Sequence, residues 1–410
     1  MKAILAIIFA SASFVTAQEP ASEGAAGFGA YAKGGSGGRV IEVTRLDDDL
    51  QSPQPGTLRW AVNQKGRRII KFGVAGTVQL LDTVTIREPF ITIDGRDAPG
   101  QGICLRGGNL EFKDTHNIIV RYLRVRLGDE TTRRKNRQQG LQRPKGSGGL
   151  DCISLTRCRD AIFDHISTSW CCDELFSVVH CQNITVQHCL LAEPLTNPEL
   201  HPYGDNHAFC FNASASTLSV MNCLFARYVM RGPQFEANDM RRGDDYAVRM
   251  EAVNNLMFDY QRSGSRYTTG IEDHKDEAAP KGYAFQFIGN HYLGDPKRPA
   301  IEAVMKHEVH PGVRSHIDNP ALVQLSDTKG RERLMSAARA QIQPEPLFTT
   351  SATAAKPDIE KLLNEVGCSH ARDSADQRII ADVRARRFHP PIRSQTEVGG
   401  WPTLEPSGAR

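Results

Sequence analysis

The sequence predicts an all-β chain wound as a parallel β-helix, with a mostly irregular and helical C-terminal extension. The first observation is a succession of short β-branched and apolar runs. They include TVTI (83–86), ITID (91–94), NIIVRYLRVRL (117–127), DCISL (151–155), AIFDHIS (161–167), NITVQHCLL (183–191), TLSVMNCLF (217–225) and AFQFIGNHYL (284–293). Polar or Gly residues bound each run, as they bound strands. The second observation is that the runs repeat. Asp160-Ala161-Ile162 and Asn183-Ile184-Thr185 open equivalent runs 23 residues apart, and Leu218-Ser219-Val220 opens a third 35 residues later, past an inserted loop at 195–206. Cys189 and Cys223 hold the same place in their runs. A repeat of this length cannot bury its own inner face, so successive coils must stack. The third observation is negative. Few helix-period windows interrupt the runs before residue 330, which argues against a βαβ sheet. Asp94-Gly95 is the sole Asp-Gly or Asn-Gly pair, so the turn chemistry of a hairpin-built sandwich is sparse.

Taken in order, the chain opens on Met1-Lys2, an apolar AILAIIFASASFV and a small-residue Val15-Thr16-Ala17. That pattern reads as a secretory signal over 1–17, cleaved after Ala17. Residues 18–300 form the predicted β-helix and 301–410 an extension wrapping over it, with helical patterning at Arg331–Gln341, Asp358–Val366 and Ser374–Arg386. The stretch TTRRKNRQQGLQRPKGSGG (131–149) reads as a basic, solvated loop. Secretion permits disulfides. With ten Cys and no C-x-x-C pair, buried thiols and local bridges both remain open, and a zinc ribbon is disfavoured.

Composition narrows the function classes. With 40% hydrophobic and 24% charged residues, the 410-residue chain is neither disordered, collagenous nor a coiled coil. Lys+Arg 50 against Asp+Glu 47 leaves a net charge of +3. That is too small to argue for nucleic acid or a membrane surface. Past the N-terminus no apolar run reaches the ~18–20 residues of a membrane span.

Chemistry-bearing residues recur with the coil period. Asp151 opens one run, Asp173-Glu174 the next, His207 the one after the inserted loop, and Arg231 lies 24 residues beyond His207. Stacking therefore predicts two or three carboxylates and an arginine in a line on successive rungs. Adjacent carboxylates repel unless a cation bridges them, and hard oxygen donors without thiolate suit Ca²⁺. Aspartates that cap strand-end turns fit the same pattern. Alternation along a strand predicts that Glu174 points to the face opposite Asp173.

Several separate segments, in order, resemble polysaccharide lyase family 1, the pectate lyases. They are GFGAYAKGGSGGRVIEVTRLDDD with GTLRWAV (27–62), ITIDGRDAPGQGICL (91–105), IIVRYLRVRLGDE (118–130), GLDCISL (149–155), IFDHISTSWCCDE (162–174) and MRGPQF (230–235), with Thr396–Pro402 as a similar tail. The resemblance covers most of residues 26–300. It implies a right-handed, single-stranded parallel β-helix and a Ca²⁺-assisted β-elimination on a C6-carboxylated polymer such as polygalacturonate. It places Asp151 and Asp173 on the metal, with Glu174 standing in where the third acidic position falls on Ser177. Arg231, in Arg231-Gly232-Pro233, matches the family's catalytic base; an ion pair or substrate clamp is the alternative for that residue. The Asp164-His165 pair matches a segment expected to be structural.

Two departures stand out. The family's substrate-binding Lys falls in His201-Pro202-Tyr203-Gly204-Asp205, where Tyr203 replaces it, and its second Arg falls at Gln234 or Glu236. Substrate contacts are accordingly expected at His201, Tyr203 and Arg227, with Arg241 and Arg242 as further compensating cations. The expected partner is an acidic polysaccharide, with no nucleic acid and no membrane, and the chain is expected to be a monomer. Losing two cations also leaves room for a non-catalytic carbohydrate-binding relative. A hydrolase using paired carboxylates such as Asp244 and Asp245 is a more distant alternative. Asn183-Ile184-Thr185 and Asn212-Ala213-Ser214 fit the glycosylation sequon; Asn183 is expected in a turn ladder and Asn212 is the better acceptor.

Overall fold

The computed structural model describes residues 19–237, 248–269, 283–298, 302–307, 313–319 and 358–404, with Val309 and Phe348. The N-terminal signal segment, the 331–341 stretch, Arg241, Arg242 and Gly243-Asp244-Asp245 lie outside the described residues. Among those described, twenty-five strands pair in parallel and wind into three sheets. Each full coil passes through sheet I, then II, then III. One such coil runs Ile153–Thr156 (I), Arg159–Asp164 (II) and Ser167–Ser169 (III). In the next, a single strand, Glu174–Gln187, serves sheets I and II before Leu190–Ala192 enters sheet III. The protein is a right-handed parallel β-helix.

The ladder register sets the true repeat. Ala161 pairs with Ile184, a step of 23 residues, as the sequence predicts. Ile184 pairs with Leu218, so the following step is 34 residues, one fewer than the sequence alignment gave. Asn183 accordingly faces Thr217, whose Oγ1 accepts its backbone N–H at 2.7 Å. The coil also continues past residue 300. Glu302–His307 pairs with Ser263–Thr268, and Arg314–Asp318 pairs with Ala284–Ile288. The predicted boundary at 300 therefore cuts through the β-helix. Sequence reading missed these rungs because their charged residues break the apolar pattern.

Stacking runs through the interior. Phe176 and Phe211, in register, lie face to face at 5.2 Å, and Phe163 meets Phe176 edge-on at 5.0 Å. At the corner from sheet II to sheet III one residue per coil takes a left-handed backbone: Tyr122, His165, His188, Asn222, Asn254 and Gly289. Each donates its N–H to the next coil, so the ladder continues through the corner and offsets the cost of a positive φ. Just beyond that corner, Asn255 and Asn290 form an internal ladder: the side-chain oxygen of each accepts a backbone N–H from the previous coil. All ten cysteines are buried and unbridged. Burial pushes the Cys104 thiol up to about 11 and those of Cys172 and Cys368 to about 12, which keeps them unreactive.

Two of the three outer faces are covered. The Gly-rich N-terminal segment lies on sheet II. Its N–H groups at Phe28, Gly29 and Gly35 donate to Ser219, Thr185 and Thr92. The approach is so close that a Cβ on Gly29 would stand 2.1 Å from the Ala161 carbonyl oxygen, and one on Gly35 1.9 Å from that of Arg68. Helices α1 (Ile359–Glu365) and α2 (Ser374–Arg384) lie on sheet III, where Leu362, Leu363, Ile379, Ile380 and Val383 pack on Leu190, Leu224, Leu256 and Phe258. Arg126, fully buried on sheet III, ties down the start of α2 through Asp373 and through Asp376 at 2.7 Å. Sheet I turns polar side chains outward, Glu111, Ser154 and Asn212 among them.

Asp164 sits between His165 (2.7 Å) and His188 (3.2 Å); the His165 ring stacks between those of Tyr122 and His188. Burial opposes its ionisation, but the hydrogen bonds and charges of the two histidines outweigh that and hold its carboxyl far below the ordinary range.

Two outcomes test these anchors. Arg126→Ala leaves two buried carboxylates to Arg124 alone, 3.3 Å from Asp373 and 3.9 Å from Asp376, and should cost about 3 kcal/mol, read from urea unfolding, with early proteolysis of the C-terminal helices. A carboxyl with a depressed folded pKa contributes stability above its unfolded value, about 3.9, and loses it as pH falls. Asp164→Asn should therefore lower the urea midpoint at neutral pH and flatten its fall below about pH 4.

Candidate active site at the corner before sheet I

The residues that gather here all lie on connections from sheet III to sheet I. Such loops change freely while the ladder beneath fixes where they begin and end. Asp151 closes one connection, Asp173 and Glu174 the next, His201 to His207 the third and Arg231 the fourth. Stacking brings carboxylate oxygens of Asp151, Asp173 and Glu174 within 4.8 Å of one another. Asp151 Oδ1 accepts the Glu174 backbone N–H at 3.1 Å. Arg231 Nη1 reaches Glu174 Oε1 at 2.5 Å, and its guanidinium lies 4.2 Å above the Phe209 ring. Arg231 has φ +70°, a left-handed backbone whose cost a bulky residue bears when its surroundings fix it there. Its carbonyl accepts the Phe211 N–H at 2.6 Å.

The structure differs from the sequence expectation at Glu174. Its side chain joins Asp151 and Asp173 instead of pointing away. Strand alternation fails between Asp173 and Glu174 because the chain is still turning: the N–H groups of Cys172 and Asp173 both donate to the Leu150 carbonyl, and the strand begins only at Glu174.

Electrostatics separate the three acids. Burial first, and the neighbouring carboxylates second, push Asp151 and Glu174 well above the ordinary range. Burial also opposes ionisation of Asp173, but the close His201 imidazole, the Glu174 carboxyl and the charges of His201 and His207 outweigh it and hold Asp173 below that range. Three carboxylates, Asp173 and Glu174 buried and Asp151 half-buried, with one arginine between them are short of positive charge. An all-oxygen set of this kind fits Ca²⁺, and Asp151, Asp173 and Glu174 are the residues that would hold it.

The other expected site residues divide. His201 is fully buried, with Nε2 3.3 Å from Asp173 Oδ2, and so belongs to the cluster. Tyr203 stands 76% exposed at its rim. Arg227 is elsewhere: it lies on sheet III, paired with Glu193 at 2.7 Å and with Asp382 of α2, and so anchors the C-terminal helices. Gln234 donates to Asn212 and Glu236 on sheet I, and Arg266 stands opposite Gln234 on the following rung. Ser177 lies beside Ser154 and Asn212 on neighbouring rungs. Asn183 donates to Asp160 at 2.9 Å within the predicted turn ladder.

Asp205 and Phe209 were missed as site residues, and His207, placed on the line of rungs, was given no role there. The signal was present in His201-Pro202-Tyr203-Gly204-Asp205-Asn206-His207, two histidines flanking an acid inside an insertion. The predicted basic loop is half helix, Glu130–Gln138. Arg133 ties this helix to Glu199 of the His201 connection at 3.0 Å, and the loop beyond it presses Arg143 against Gly204. The two insertions thus form one wall beside the acids, with Arg137, Arg143 and Lys145 exposed on it.

No family model matches the chain. Comparison with curated proteins finds "Probable pectate lyase C" from Emericella nidulans, 39% identical over 368 residues, 88% of this chain and 75% of that protein. The protein of the same name from Aspergillus oryzae is 37% identical over 390 residues, 93% of this chain and 81% of its own length. Among solved structures, the major cedar-pollen allergen jun a 1 aligns at 16% identity with a TM-score of 0.47, over 78% of this chain and 92% of that one. With relatives at 37–39% identity covered over three quarters or more of their length, the chain belongs to the pectate lyase family of polysaccharide lyases.

Proposed function

We propose that the protein is a secreted lyase that cleaves a pectate-like polyuronate by β-elimination, with Arg231 as the base and Asp151, Asp173 and Glu174 as the Ca²⁺ site. The carrying observation is that consecutive coils place three carboxylates, two of them buried, within 4.8 Å of one another and Arg231 against one of them. Its family membership, its signal-like first 17 residues and the names of its relatives support the reading.

Bound Ca²⁺ supplies charge neutralisation for the substrate carboxylate and for the negative charge that develops on it. Arg231 takes the proton from C5, α to that carboxylate. The C5–H electron pair becomes the C4=C5 double bond as the C4–O bond breaks, and the leaving oxygen takes a proton from water. Free arginine is too basic for this, with a pKa above about 12. Glu174 links the two parts of the site: it pairs with Arg231 and would also be one of the ligands that hold Ca²⁺. Phe209 fixes the guanidinium plane from below.

Substrate binding falls to the rim. Tyr203 offers a ring face in place of the family's lysine, and Arg137, Arg143 and Lys145 of the wall supply positive charge near a polyanion. We propose that the chain acts as a monomer. No described helix is long and apolar enough to cross a membrane.

Incubation with polygalacturonate should raise the ultraviolet absorbance of an unsaturated uronide with Ca²⁺ present and not with EGTA. Reducing ends without that absorbance would replace elimination by hydrolysis. Arg231→Lys keeps a charge beside Glu174 and should lower turnover by about 10²-fold or more with the melting temperature unchanged. A full rate in that variant excludes Arg231 as the base.

A further inference from the structure

The acid cluster has a second side. Asp173 faces Asp151 and Glu174 in one direction and two imidazoles in the other. His201 Nε2 lies 3.3 Å from Asp173 Oδ2, and His207 Nε2 lies 3.7 Å from Asp173 Oδ1. The two rings stack with centroids 3.4 Å apart, so both Nε2 atoms aim at the same carboxylate. The His201 ring is fully buried, yet its Nε2 makes no well-formed hydrogen bond there.

We propose that Asp173, His201 and His207 form a site for a zinc-type divalent transition-metal ion, next to the all-oxygen site and sharing Asp173 with it. Ligands about 2.0–2.1 Å from a tetrahedral Zn²⁺ stand roughly 3.3 Å from one another. The His201 separation matches that spacing and the His207 separation of 3.7 Å lies close to it, and imidazole nitrogen favours zinc over calcium. The outer side of the site fits as well. Asp205 Oδ1 lies 2.7 Å from His207 Nδ1 and 3.4 Å from His201 Nδ1. A carboxylate behind the ligating histidines is the arrangement that orients imidazoles on a metal. The Tyr203 N–H also reaches His201 Nδ1, at 3.4 Å, and ligation through Nε2 requires that long contact to be given up.

Three protein ligands leave a fourth position for water or for a uronate carboxylate. An ion here draws Asp173 away from Asp151 and Glu174, so zinc and calcium compete through one shared residue. The zinc site needs neither Asp151 nor Arg231, so it stands or falls separately from the elimination reading.

The test is equilibrium dialysis of the full chain against Zn²⁺ in excess Ca²⁺, with bound zinc read by elemental analysis. A single retained zinc is expected in the parent chain and in Asp151→Asn. His207→Ala should abolish retention, and Asp205→Asn, on the exposed outer carboxylate, should weaken it about 10–100-fold. Visible absorption of the Co²⁺-loaded parent gives a readout free of mutation: an intense four-coordinate spectrum is expected. The proposal is overturned by no zinc retention in the parent, by retention that survives His207→Ala, by loss in Asp151→Asn alone, or by a weak six-coordinate cobalt spectrum.

Discussion

The hydrogen-bonded ladder between successive coils is the constraint on which the rest depends. Each coil donates to the next even through its left-handed corners, as Tyr122, His165 and His188 do. The ladder therefore fixes every residue's height to within one strand spacing, about 4.8 Å. Residues some 23 positions apart become neighbours, and like stacks on like. Phe176 meets Phe211 and Asn255 meets Asn290 for that reason, and the acids of two coils crowd together at the corner for the same reason. Length changes are absorbed where the ladder is interrupted, which is why 127–152 and 193–208 both bulge from the connection into sheet I.

Charge is buried in two ways, and the contrast separates scaffold from site. On sheet III, Arg126 meets Asp373 and Asp376, and Glu193 meets Arg227 and Arg378. Those charges are matched, and they fasten the C-terminal helices to the coil. At the corner before sheet I, three acids share one arginine and two histidines. Burial without matching charge raises Asp151 and Glu174 and leaves a deficit of positive charge. Matched buried charge holds a structure together, whereas unmatched buried charge next to an open polar face marks a place for a ligand.

Asp173 sits where two kinds of donor meet. Toward Asp151 and Glu174 the donors are oxygen, and toward His201 and His207 they are nitrogen. Hard and borderline cations prefer different sides of the same carboxylate. The inserted His201 connection, braced by Arg133 on Glu199, brings the second donor set to a corner that the coil alone would furnish with acids only.

The sequence by itself determined the coil. Strand runs, the 23-residue step from Ala161 to Ile184 and scarce hairpin turns dictated stacking, and stacking placed Asp151, Asp173 and Arg231 in one line, with the His207 rung between the last two. The helices after residue 358 were legible from their apolar period. Sequence periodicity was silent wherever a side chain's direction depends on a turn or on a distant partner. Glu174 joins the acids because the chain turns through Asp173, and strand alternation holds only inside a strand. Arg227 looks like a spare cation near the site, yet Asp382, 155 residues away, pulls it under α2. His207 faces Asp173 only because an insertion folds back against the coil. These are contacts between separate segments, and a local pattern of residues carries no record of which segment will lie across from it.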